Sequence, residues 1–167
     1  MTGLQALSGI LLHALFFHLL STSETCFAGP ENRGGLSAEA RESIHTLFEN
    51  HARIRREVKE REDGYEAVTE SDDPAVAKVL VQHVRQMEAR LESGLSVRRW
   101  DPAFAEYCDH YGEMDHRFET TGKGVRMIVT AKDPKVARIA KNHAKVVSKF
   151  ASEGWSEHGR EHPAIQP

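Results

Sequence analysis

Residues 64–94 read GYEAVTESDDPAVAKVLVQHVRQMEARLESG, and residues 124–154 read GVRMIVTAKDPKVARIAKNHAKVVSKFASEG. The two stretches have equal length and lie 60 positions apart. Gly64, Asp73, Pro74, Val76, Ala77, His83 and Gly94 recur as Gly124, Asp133, Pro134, Val136, Ala137, His143 and Gly154. Conservative pairs fill in between, among them Lys78 with Arg138, Val79 with Ile139 and Gln82 with Asn142. Upstream, Ile54 and Val58 match Met114 and Phe118. The chain is therefore read as a duplicated unit, 37–96 and 97–156. The Val-Thr pairs at 68–69 and 129–130 are one position out of step, which predicts a bulge before each Asp-Pro.

Each copy reads as helix, short strand, helix. Apolar residues at Ile44, Leu47, Phe48, Ile54 and Val58 predict one long helix over 37–61, ended by Gly64. Tyr65 to Thr69 and Val125 to Thr130 are rich in β-branched residues and predict strands. Asp73-Pro74, Asp101-Pro102 and Asp133-Pro134 predict helix starts, because the carboxylate accepts from free N–H groups and Pro costs nothing in the first turn. The third helix carries Phe104, Tyr107, Cys108, Tyr111, Met114 and Phe118 on one face. The expected fold is mainly α, a four-helix bundle from two α-β-α repeats, with a small two-stranded antiparallel ribbon.

The pattern resembles an uncharacterised family of exported bacterial proteins with N-H-x-x-I-x-R, then G-V-x-x-x-T-x-S-x-D-P and H-V-x-x-M. The matching residues are Asn50, His51, Ile54, Arg56, Gly64, Thr69, Ser71, Asp73, Pro74, His83, Val84 and Met87, with Tyr65 in place of Val. The resemblance implies the repeated unit and export, and brings no catalytic residue.

The N-terminus fits export. Residues 4–20 are apolar and uncharged, and Cys26-Phe27-Ala28 has small residues where a signal peptidase reads. A cleaved signal over 1–28, a polar lead-in over 29–36 and a periplasmic or secreted mature protein are expected. A retained N-terminal anchor is the rival reading, although the run is short for a membrane span. Removal of Cys26 would leave Cys108 without an intrachain disulfide partner. With 22 Lys+Arg against 25 Asp+Glu, the chain lacks the basic excess a nucleic-acid binder needs. The protein partner is not legible, and the oligomeric state is open, a homodimer included.

Histidine is in excess, at 10 residues. His83 and His143 each fall within an apolar helical stripe, and Met87 lies one turn beyond His83. His51 falls on the apolar face of the first helix, with Tyr111 as its repeat counterpart. Three imidazoles, a phenol and a thioether predict a transition-metal site of copper, zinc or iron made by His51, His83, Met87, Tyr111 and His143. Alternatively His83 and His143 hold a haem iron from opposite sides, for storage, transfer, sensing or electron transfer. The competing expectation is a non-catalytic structural or interaction module with a buried His/Tyr hydrogen-bond layer. His110 and His116 read as a solvated face, and 157–167, with His158 and His162, as a frayed tail. No Ser-His-Asp order, P-loop or GxGxxG is present, so an enzyme is the least supported class.

Overall fold

The computed structural model describes residues 35–165; the signal reading of 1–28 and most of the lead-in lie outside them. Helix α1 (Ala38–Glu49) leads through a short 3-10 turn into strands β1 (Ile54–Arg61) and β2 (Gly64–Ser71), then helix α2 (Pro74–Glu92). The order repeats as α3 (Pro102–Asp109), a 3-10 turn, β3 (Met114–Thr120), β4 (Gly124–Ala131) and α4 (Pro134–Glu153), with a short α5 (Trp155–His158) after it. The strands form one antiparallel sheet in the order β1-β2-β4-β3.

This corrects the expected four-helix bundle with a two-stranded ribbon. Residues 54–61 and 114–120 are strands, not the far halves of long helices. The ambiguity lies in the spacing: apolar residues at i and i+4 suit one helical face, and they also suit one face of a strand. The inward position between them is Arg56 in one copy and His116 in the other, so the alternation is masked by polar residues. Given two extra strands, the helices need not bury against each other. α4 lies on β1, β2 and β4, α2 lies on β2 and β4, and α1 and α3 pack on α2 and α4. The result is a two-layer α/β architecture with helices on one face of the sheet.

Symmetry governs the centre. Ala67 pairs with Met127, its own repeat equivalent, so a local twofold axis passes through that pair. The β2–β4 register runs unbroken from Gly64↔Thr130 to Glu70↔Gly124, without the bulge expected from the offset Val-Thr pairs. The hairpin ends are tied in mirrored fashion. Ala131 N–H donates to the Asp63 carbonyl at 2.8 Å, and Ser71 N–H donates to the Lys123 carbonyl at 2.9 Å. Gly64 and Gly124 sit where the two copies approach, with φ of +155° and +159°. A Cβ at either position would overlap a carbonyl oxygen across the seam, that of Val129 or Thr69. Gly64 therefore serves the strand seam rather than a helix end.

Alternation sorts the sheet's faces. Tyr65, Ala67, Thr69 and Ser71 of β2 are buried under the helices. The opposite face is charged, with Arg126 paired to Glu66 and Glu119, each at 2.8 Å. The Asp caps form as read: Asp73 accepts from Ala75 N–H at 2.9 Å and Asp133 from Lys135 N–H. Among the described residues no helix is long and apolar enough to cross a membrane.

Residues 157–165 are not frayed, because a buried charge cluster holds them. His162 is 3% exposed, and its two ring nitrogens lie 2.7 Å from Asp101 Oδ2 and 2.7 Å from Glu157 Oε1. Arg98 pairs with Asp101 at 3.2 Å and Arg160 with Glu157 at 3.0 Å. For Asp101, burial favours the neutral acid, but bonds from the His162 ring and backbone and from Arg98 win and lower its pKa. The bond from His162 lowers that of Glu157. Both ring nitrogens of His162 are thus held by carboxylates.

Candidate functional site

Between the sheet and the helices lies a cavity of about 380 Å³, walled mostly by apolar side chains. That volume falls in the range of small-molecule sites. β1 contributes Arg56, β2 Thr69, α2 His83, Met87 and Leu91, and α4 His143 and Val147. Phe104 and Tyr107 come from α3, Met127 from β4, and Tyr111 from the second 3-10 turn.

Arg56 is the unusual member. Its Nη1 donates to Thr69 Oγ1 at 2.6 Å and its Nε to Ser148 Oγ at 3.3 Å. Its Nη2 has no hydrogen-bond partner among the described residues. No carboxylate there pairs with it, and burial lowers its pKa. An unpaired buried cation is costly, since neutral hydroxyls replace only part of its lost hydration.

Two imidazoles share the cavity. Burial lowers His83 to about 4. It lowers His143 to about 3, with the charges of Arg56 and His116 adding to it. Both rings are therefore neutral at pH 7, and the Nδ1 of each lacks a hydrogen-bond partner among the described residues. By accessible surface Arg56, His83 and His143 keep some exposure, yet protein surrounds each of them. The surface they expose is cavity wall.

Aromatic contacts hold one side rigid. His143 stacks on Tyr107 with ring centres 3.8 Å apart and meets Phe104 edge-on at 4.9 Å. Tyr107 Oη lies 2.9 Å from His116 Nε2, and His116 stacks on Tyr111 at 4.1 Å. Burial raises the Tyr107 pKa well above the usual value and lowers His116 to about 4, so the phenol donates and the neutral ring accepts. The reading of His116 as a solvated residue is thus corrected: β3 turns it inward.

Of the residues expected to form a metal or haem site, His83, Met87, Tyr111 and His143 line this one cavity. His51 is not among its lining residues. It lies in the 3-10 turn after α1, where Nδ1 donates to the Ser152 carbonyl at 3.0 Å and the ring covers Gly154. Among the described residues no three His, Cys, Asp or Glu side chains are grouped to hold a metal ion. Sequence reading gave Arg56 only a motif position and His116 none. The signal that marks both is their repeat equivalence, a polar residue between two apolar ones at i−2 and i+2.

Fold and site define a class: a duplicated two-layer α/β protein with a largely apolar cavity whose wall carries Arg56, a cation with no carboxylate partner among the described residues. No family model, curated protein or solved structure matches the chain.

Proposed function

We propose that this is a binding protein for a small organic anion with an apolar body, held in the cavity with its acidic group on Arg56. The observation that carries the reading is the guanidinium without a carboxylate partner among the described residues, in the wall of an apolar cavity. A ligand carboxylate would supply the missing charge and make bonds of the strong, charge-assisted kind. Its apolar body would lie along Met87, Leu91, Met127 and Val147. The apolar leader at 4–20 supports a periplasmic or secreted site of action, with the mature chain beginning near Gly29. The balanced charge supports no role with nucleic acid.

The test is calorimetric titration with dodecanoic acid, using dodecanol as the uncharged control. The acid should bind and the alcohol should bind at least 10-fold more weakly. Arg56→Met should remove that preference, and Arg56→Lys should restore part of it. Equal affinities for acid and alcohol would defeat the reading.

A second reading makes the ligand haem, or a copper, zinc or iron ion. It is supported by two neutral imidazoles lining one cavity, with Met87 one turn from His83. Against it, a metal-bound imidazole ordinarily donates its other N–H to an outer partner, and Nδ1 has none in either ring among the described residues. The organic-acid form is therefore favoured. In a parallel absorption titration, hemin producing a sharp Soret band that His83→Leu and His143→Leu abolish would favour the second reading instead.

A further inference from the structure

Arg56 accounts for one polar group in the cavity wall, and His83 is a second. His83 stands on the inner face of α2, whereas Arg56 is on edge strand β1. The two therefore reach the cavity from different layers of the fold, the helices and the sheet. His83 has no stacking partner among the described residues, its Nδ1 has no hydrogen-bond partner there, and the lining residues within one turn of it on α2 are the apolar Leu80, Val84 and Met87, with Glu88 beyond them. A leucine there would fill the space without stranding a polar ring.

Resting on the organic-acid reading, we infer that the ligand carries a second, uncharged polar group on its apolar body, a hydroxyl or carbonyl, which meets the His83 imidazole. A neutral imidazole both donates and accepts, so it complements a hydroxyl, which does the same. It would be a poor anchor for a second carboxylate, which needs a cation or several donors. The substrate class is thus a hydroxy or oxo acid of largely apolar character, bound at two separated points. Such two-point recognition discriminates strongly, because a site built to bond a hydroxyl rejects the analogue that lacks it.

The experiment titrates the full mature chain with dodecanoic acid and with a positional series of monohydroxydodecanoic acids. At least one isomer should bind about 10-fold more tightly than the unsubstituted acid, the equivalent of one good hydrogen bond. His83→Leu should bring that ratio to about one, and His83→Gln, which keeps a donor and an acceptor, should retain part of it. Should the leucine variant not fold, His83→Phe replaces it. The inference is overturned if no isomer exceeds dodecanoic acid on the wild type, or if the ratio survives loss of the imidazole. Failure of dodecanoic acid itself to bind would instead strike the Arg56 reading on which the inference rests.

Discussion

Two places in this molecule bury charge, and they treat it oppositely. At the chain's end, His162 lies between Asp101 and Glu157, and Arg98 and Arg160 complete the balance. Every charge there has an opposite neighbour. In the cavity, Arg56 has two hydroxyls and no counter-ion among the described residues, and His83 and His143 are neutral with unpartnered Nδ1 atoms. The clamp is the solution expected when burial serves the fold, because desolvated charges persist only with partners. The cavity is the arrangement expected when the partner comes from outside. The difference teaches that this fold can neutralise a buried cation with its own carboxylates, and that the described residues do not do so at Arg56.

The largest effect of a single substitution should come from breaking the clamp. Asp101→Ala takes the carboxylate partner from Arg98 and one of two from His162, and also removes the cap of α3, so unfolding free energy should fall by about 3–5 kcal/mol. Urea denaturation measures it. A loss below about 1 kcal/mol would erase the contrast between the two regions.

Acid should act on the cavity next. His83 and His143 are lowered from 6.5 to about 4 and about 3 in the folded protein. Between pH 6.5 and 4 the unfolded chain binds protons that the native state does not. Stability therefore rises with pH in that window, by about 1.4 kcal/mol per unit for each ring at most. Melting curves across the window should show the slope, and His83→Leu should reduce it. A slope unchanged in that variant would mean the ring is not held neutral by burial.

The smallest effect has the opposite sign. In ligand-free protein, Arg56→Met should leave stability unchanged or raise it by about 1–3 kcal/mol, because an unpaired buried cation is replaced by an apolar chain of similar length. Thermal unfolding of the ligand-free variant checks this. A loss as large as that of Asp101→Ala would make Arg56 a structural residue and remove the ground for a ligand.

Much was legible along the chain. The 60-residue repeat, the Asp-Pro helix starts at 73, 101 and 133, the second helices, and two of the four strands follow from local pattern, since caps and periodicity act over a few residues. His83 and His143 stood out because a polar ring interrupts an apolar stripe. What local pattern did not separate was strand from helix at 54–61 and 114–120. Ile54 with Val58, and Met114 with Phe118, satisfy both periods, and Arg56 and His116 hold the positions that would have decided between them.

By itself, then, the sequence determined the duplication, the order of most elements, and the polar residues that had to be explained inside an apolar interior. Only the tertiary structure decided that the helices cover a sheet instead of one another. It also decided that Arg56 joins His83 and His143 in one cavity while His51 does not, and that 157–165 is held in place by His162. These outcomes depend on pairings between residues far apart in the chain: Ala67 with Met127 at the twofold, Arg56 with Ser148, Asp101 with His162. Each is a matter of which surfaces meet and which charges find partners, and burial free energy is settled only when the distant surface is present.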